Sequence, residues 1–295
     1  MIIVQIRSGL GNQMFQYAFA RNLALRNKTT LKLDLGFYRS YALRRYELDD
    51  LSIAAKELSW AERGMLRVAR SQRFPALRAL AEYMHGGGSI IALTDRQEGF
   101  DDAAYAQHGN IYLQGFWQSW RYFSEIRPLL LREFDVSLPC DSRNTEMMGR
   151  IRESNSVCIH VRRGDYVKNP ETATVFGACP VEYYRAAAAQ LRERVVNPEF
   201  FVFSDDLEWA KEHLGDHGNF VYVGLNHGQP PACDLRLMRA CRHFIISNST
   251  FGWWAAWLSE GPGKVVLSPQ SWYKTNWTTR DLLPPDWITL PNALT

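Results

Sequence analysis

Short apolar runs alternate along this chain with stretches whose apolar residues return at helical spacing. Ile2 to Ile6 is a β-branched run that breaks at Arg7-Ser8-Gly9-Leu10-Gly11-Asn12. From Gln13 to Arg26, the positions of Met14, Phe15, Tyr17, Ala18, Leu23 and Leu25 predict a helix, giving strand, glycine loop, helix. Thr29 to Leu33 predicts a second strand, residues 54 to 84 helices with basic faces, and Gly86-Gly87-Gly88 a loop. Asn110 to Gly115 reads as a strand followed by a helix through about Arg132. A helix to Glu153 then leads into Val157-Cys-Ile-His-Val161, and residues 167 to 179 read as a long loop. Cys179-Pro180 opens a helix to Arg194, with proline near the first helical position. Beyond it come strand Phe200 to Ser204, helix Leu207 to Leu214, strand Phe220 to Val223 and helix Ala232 to Cys241. Strand His243 to Ser247, helix Phe251 to Ser259 and strand Val265 to Leu267 complete the pattern. Strands alternating with helices at this spacing mean parallel βαβ units, an α/β protein.

Length adds a division to that picture. A chain of 295 residues exceeds the roughly 250 at which single cores stop growing. The pattern lapses into turn residues around Leu138-Pro-Cys-Asp-Ser-Arg-Asn-Thr145, so two domains are expected, 1–142 and 143–295. A net charge of +3 without a long basic run argues against a nucleic-acid partner. The N-terminus lacks signal-peptide character, and no run of about 18 apolar residues offers a membrane span. The five cysteines are scattered and never spaced CxxC, against both a disulfide framework and a zinc site. A soluble protein of a reducing compartment is the expectation. Cys158 and Cys241 are read as small core residues.

Candidate chemistry sits where apolar runs end. Val157 to Val161 stops abruptly at Arg162-Arg163-Gly164-Asp165, and two guanidinium forks suit a doubly anionic group such as a pyrophosphate. The plainer reading is an arginine pair bridged to Asp165 and nearby acids. Gly9 and Gly11 allow backbone N–H groups near an anion at a helix start, although GxGxxM is neither the dinucleotide fingerprint nor the P-loop. Ser249, Thr250 and Phe251 open another helix, with Ser249 or Thr250 as its cap. Asp205 has the acceptors for a base or ribose, guanine above all; against that, Asp205 and Asp206 are also good helix caps. Paired carboxylates bind Mg²⁺ as well, but the arginines already supply positive charge and no metal is expected. Trp117 and Trp120 with Gln114 and Gln118 suit a sugar, or simply pack between elements. The basic positions Arg63, Arg67, Arg70, Arg73 and Arg78 suit a solvated face, with peripheral contact to acidic lipid as the functional reading.

Four stretches go further together. Gly9-Leu-Gly-Asn-Gln-Met-Phe-Gln-Tyr-Ala18, His160-Val-Arg-Arg-Gly-Asp-Tyr166, Phe203-Ser-Asp-Asp206 and Ile246-Ser-Asn-Ser-Thr-Phe-Gly-Trp-Trp254 closely resemble the bacterial α-1,2-fucosyltransferases of glycosyltransferase family 11. The resemblance runs in order across roughly residues 1 to 260. It implies a GT-B-like α/β fold of two Rossmann-like domains facing a central cleft, with 1–142 on the acceptor side and 143–295 binding GDP-fucose. The implied activity is metal-independent, inverting transfer of L-fucose from GDP-β-L-fucose to the 2-hydroxyl of a terminal β-galactoside, without a cofactor. The implied acceptor is a galactose-terminated oligosaccharide or lipid-linked glycan of the O-antigen type. A cytoplasmic enzyme, peripheral at the inner membrane, fits that role. On the same resemblance Arg162 and Arg163 hold the phosphates and steady the leaving pyrophosphate, while His160 and Asp205 meet the guanosine. Ser249, Thr250 and Phe251 lie at the phosphates, and Gly9, Gly11 and Asn12 face the reaction centre. Asp165 and His160 are candidates for the base, neither singled out. A nucleotide-sugar-binding protein, a carbohydrate-binding module and a fucosyltransferase of different linkage are the alternatives.

Overall fold

The computed structural model describes residues 1–40, 44–69, 89–96, 99–215, 219–275 and 277–294. Two compact units emerge, Met1–Phe134 with Arg280–Leu282, and Asp135–Thr279 with the chain from Leu283 onward. The division falls eight residues before the 142/143 boundary expected from the lapse in hydrophobic pattern. The reason is Arg236, whose guanidinium donates to the carbonyls of Val136, Leu138 and Pro139 and so ties that polar stretch to the second unit.

The first unit is built on a parallel sheet ordered β3-β2-β1-β5-β4. Its strands are β1 (Ile2–Gln5), β2 (Leu31–Asp34), β3 (Lys56–Glu57), β4 (Ile90–Thr94) and β5 (Asn110–Gln114). The helix Leu10–Arg26 is buried over most of its surface, its polar residues Gln13, Gln16 and Asn22 included. Its buried polar side chains serve backbone: Gln16 accepts the Arg7 N–H at 3.0 Å and Asn22 donates to the Tyr122 carbonyl at 2.7 Å.

The helix expected after Gly115 does not form as one piece. Gly115 (φ 136°) and Trp117 (φ 55°) are left-handed, and the Asp95 carboxylate accepts the N–H groups of Phe116 and Trp117 at 3.1 and 2.9 Å. With those donors taken, the chain makes two 3₁₀ turns before the helix Arg127–Glu133. Trp117 is 1% exposed, with ring centroid 4.8 Å from that of Phe19, so it belongs to the core and not to a sugar surface.

The second unit's sheet is also wholly parallel, ordered β11-β10-β9-β6-β7-β8. Its strands are β6 (Asn155–Val161), β7 (Pro198–Ser204), β8 (Phe220–Tyr222), β9 (His243–Ile245), β10 (Val266–Pro269) and β11 (Ile288–Leu290). Counted within the unit this is the doubly wound order 3-2-1-4-5-6. Its core joins Val157, Ile159 and Val161 of β6 to Phe200 and Val202 of β7 and to Tyr184 and Leu191 of the helix Val181–Arg194. Each fully buried aliphatic or aromatic side chain contributes about 1.5–3 kcal/mol. Cys158 and Cys241 lie in the interior, as their apolar surroundings predicted.

The long loop expected at 167–179 contains regular structure. Helices Gly164–Lys168 and Pro170–Val175 occupy part of it, the second capped by Asn169, whose Oδ1 accepts the Thr172 N–H at 3.1 Å. Their brevity hides them from a periodicity reading. Among the described residues, no helix is long and apolar enough to cross a membrane. Of the basic positions between 63 and 78, Arg63 and Arg67 lie on the helix Trp60–Ala69, while Arg70, Arg73 and Arg78 are outside the described residues.

Candidate nucleotide-sugar site

In the second sheet the chain leaves β6 towards β7 on one side, while β9 leads on to β10 on the other. The crevice beyond the carboxyl ends of β6 and β9 is the topological switch point, where open α/β sheets hold their ligands. The sequence puts Arg162-Arg163 at the first of those ends and Ser247-Asn248-Ser249-Thr250 beyond the second.

Both arginines are held by carboxylates. Arg162 pairs through Nη2 with Asp165 Oδ1 at 2.5 Å and through Nη1 with Asp205 Oδ2 at 2.8 Å. Burial works against its charge, but Asp205 and then Asp165 outweigh that and raise its pKa. Arg163 donates its backbone N–H to Asp205 Oδ1 at 2.9 Å. Its guanidinium lies 3.8 Å from the centroid of the Trp209 ring and 3.4 Å from Asp206 Oδ2. Asp206 also caps the helix Leu207–Leu214, whereas Asp205 does not cap it. The bridged-arginine reading and the anion-site reading therefore describe the same residues, since the acids arrange the forks that an anion would meet.

His160 is only 6% exposed and lies within the packing beneath the rim. Its Nδ1 is 3.0 Å from Ser247 Oγ, and its ring centroid is 5.7 Å from that of Phe251. Burial pushes its pKa down to about 4, Asp205 opposing and Arg162 reinforcing the shift, so the imidazole is neutral at neutral pH. A Cβ on Gly252 would stand 2.6 Å from His160 Nδ1, which explains the glycine in Phe-Gly-Trp-Trp.

Ser249 caps the helix Thr250–Leu258, its hydroxyl accepting the Phe251 N–H at a long 3.4 Å. Thr250 and Phe251 form the first turn and are partly exposed. Asn248, 1% exposed, donates to the carbonyls of Phe176, Gly177 and Trp272 at 3.3, 3.1 and 3.0 Å. Tyr166 donates its hydroxyl to the Asn248 carbonyl at 3.0 Å and stacks on Phe176 at 5.0 Å. His160, Arg162, Arg163, Asp165, Asp205, Ser249, Thr250 and Phe251 are thus gathered at neighbouring ends of one sheet.

Gly9, Gly11 and Asn12 belong to the first unit. The helix there begins at Leu10, three residues earlier than periodicity predicts, so Gly11 and Asn12 lie in its first turn and Gly9 at its cap position. The Leu10 N–H already has an anion, the Glu47 carboxylate at 2.9 Å. Burial raises the pKa of Glu47, while the Leu10 N–H, Arg44 and Arg45 pull it the other way. Asn12 is engaged at both ends, donating to Ser8 Oγ at 3.0 Å and accepting from Gln118 Nε2 at 2.8 Å.

Sequence reasoning attached no role to Gly164, Tyr166, Trp209, Asn248 or Gly252. One signal was readable: after the apolar run Phe244-Ile-Ile246, Ser247-Asn-Ser249 is polar but stays inside, and buried polar side chains must have partners.

The chain is 32% identical to the α-1,2-colitosyltransferase of Escherichia coli over 98% of each sequence. It is 28% identical to the Escherichia coli O-antigen biosynthesis glycosyltransferase WbnK, over 97% of this chain and 99% of that one. To the Mus musculus galactoside 2-alpha-L-fucosyltransferase Sec1 it is 26% identical, over 98% of this chain and 73% of the other. Among solved structures, NodZ alpha-1,6-fucosyltransferase soaked with GDP-fucose matches with a TM-score of 0.50 at 16% identity, over 88% of this chain and 92% of that one. That likeness supports the GT-B-like α/β fold class. The family model for glycosyl transferase family 11 matches residues 79–291, and the chain belongs to that family of glycosyltransferases.

Proposed function

We propose that the chain transfers L-fucose from GDP-β-L-fucose to the 2-hydroxyl of a terminal β-galactoside, with inversion and without a metal, in assembling an O-antigen-type glycan. The observation that carries this reading is the pair Arg162 and Arg163 at the switch point, beside a helix start capped by Ser249. The acceptor oxygen forms a bond to the anomeric carbon as the bond from that carbon to the β-phosphate oxygen breaks. GDP leaves with the electron pair, and the acceptor hydroxyl passes its proton to solvent water. Charge grows on the departing diphosphate, and each preorganised donor there is worth about 2.7–4 kcal/mol in the transition state. Asp165 acts by holding Arg162, and His160 by backing the rim as a neutral ring. Neither is assigned the proton, because a loose oxocarbenium-like transition state lets it leave late. Asn12, Gly9 and Gly11 are assigned to the acceptor-side loop. The lipid-linked form of the acceptor and contact of the basic 63–78 region with the inner membrane belong to the same proposal.

A second reading, transfer of colitose, is favoured by the 32% identical relative. One experiment addresses both. The protein is given GDP-fucose or GDP-colitose with a panel of galactosides, GDP release is followed, and the product linkage and anomeric configuration are read by NMR. Release with GDP-fucose, an α-1,2 product and unchanged rates in excess EDTA are expected. Turnover of GDP-colitose alone, or a β product, overturns the donor or the stereochemistry, and loss in EDTA restores the Asp205-Asp206 metal site.

A further inference from the structure

The rim of the second sheet carries aromatic rings that the nucleotide-sugar site leaves unused. Phe176 closes the short helix Pro170–Val175 on the chain that leaves β6, while Tyr273 and Trp277 follow the carboxyl end of β10. The three rings form one cluster. The Phe176 centroid lies 5.6 Å from that of Tyr273 and 6.4 Å from that of Trp277, and those two are 5.4 Å apart. The backbone beneath them is fixed. Asn248 donates to the carbonyls of both Phe176 and Trp272, and the Lys274 N–H donates to the Val175 carbonyl at 2.7 Å, so the two ring-bearing segments are tied side by side. Trp272 spends its indole N–H on the Pro269 carbonyl in the interior, but Trp277 is 44% exposed. Neither neighbour stacks on it, since Phe176 meets it at 85° and Tyr273 at 69°.

A hydrophobic side chain standing alone on a surface needs no explanation, but an exposed indole held by other rings next to a binding site does. The cluster is continuous with that site. From the Arg162 guanidinium the path runs 5.5 Å to the Tyr166 ring, 5.0 Å on to Phe176 and 6.4 Å to Trp277. Arg162 marks the diphosphate, so the ring three steps out stands on the side of what the transferred sugar is joined to. A pyranose offers a face of C–H groups that suits the electron-rich face of an indole. Lys274 and Thr275, exposed beside it in the chain, are polar groups that suit sugar hydroxyls and not an acyl chain. We infer that Trp277, backed by Phe176 and Tyr273, stacks on the second sugar of the acceptor glycan, the one to which the terminal galactose is linked. The inference rests on the fucosyl-transfer reading above, and it gives the second unit a share in acceptor binding that the sequence assigned to 1–142 alone.

The test compares Trp277→Ala and Trp277→Phe with the wild type, with methyl β-galactoside and β-galactosyl disaccharides as acceptors for GDP-fucose. In Trp277→Ala the KM for the disaccharides should rise about three- to tenfold, the usual worth of an aromatic ring contact. The KM for methyl β-galactoside, the KM for GDP-fucose and kcat should stay within about twofold of wild type, well short of the tenfold that a whole contact can supply. Trp277→Phe should restore most of the loss. Saturation-transfer NMR on the GDP-bound protein reads the same contact without turnover: signal from the second sugar is expected in the wild type and is lost in Trp277→Ala. Equal losses with methyl β-galactoside and with disaccharides reduce Trp277 to a packing residue and overturn the inference. An unchanged disaccharide KM overturns it outright, and a raised KM for GDP-fucose overturns it in favour of the donor sugar. Failure of the wild type to transfer fucose to any galactoside is a different result: it sinks the transfer reading, and the NMR signal then decides by itself whether the ring holds a sugar.

Discussion

The two units place similar strand-to-helix turns at the carboxyl ends of their central strands and use them in opposite ways. In the first unit the glycine turn after β1 leads to a helix whose opening N–H group is taken by Glu47, a carboxylate of the same chain. Asp34 is spent in the same manner on the Gly36 N–H and the Tyr112 hydroxyl, and Asp95 on Phe116 and Trp117. In the second unit a neutral serine caps the helix after β9, and the charge at that rim is carried by two guanidinium forks. In the first unit an acid of the chain takes the helix's opening N–H group itself, whereas in the second the acids Asp165, Asp205 and Asp206 pair with the arginines and leave the helix start to a neutral serine.

Three substitutions test the contrast, in falling order of effect. Arg163→Ala should lower transfer by about 10²–10³-fold, the usual loss of a donor that stabilises transition-state charge, with an unchanged thermal melt. Wild-type turnover in that variant would remove the second unit's side of the comparison. Glu47→Ala should cost about 1–3 kcal/mol in denaturant unfolding, because it strands the buried Leu10 N–H, and should leave GDP affinity alone. The wild type has a further signature. A carboxyl whose folded pKa is raised contributes stability fully below its ordinary range and loses it as pH rises through the raised value, a slope that Glu47→Ala should lack. If Glu47→Ala instead weakens GDP binding, the first unit's loop is an anion site after all. Ser249→Ala should be mildest, about 1 kcal/mol of stability for a lost cap, with a parallel weakening of GDP binding; a stability loss without the binding loss would reduce Ser249 to a cap.

Much of the second unit was legible in sequence because its central strands are continuous apolar runs buried on both faces. β6 and β7 and the helix Leu207–Leu214 fell where periodicity placed them. The strands that escaped notice are β3, β4 and β11, all at sheet edges, where pairing with one neighbour makes a strand of residues that carry little pattern. The helix expected after Gly115 was misplaced because the left-handed turn at Trp117 depends on Asp95, more than twenty residues away. The site divides likewise. Arg162 and Arg163 announce themselves at an abrupt strand end, but the pairing with Asp205 depends on strand register across about forty residues, and Gly164 has no meaning until that carboxylate lies against it.

The return of Arg280–Leu282 to the first unit bears on how this protein can be taken apart. Asp281 accepts the Phe100 N–H at 3.2 Å and pairs with Arg121 at 3.4 Å, while its own backbone holds φ at 61°. A gene fragment ending at Phe134 would encode every strand of the first sheet and still omit this clasp. Dissection or recombination with relatives is therefore better done by exchanging the clasp together with the N-terminal segment, as one module encoded in two places.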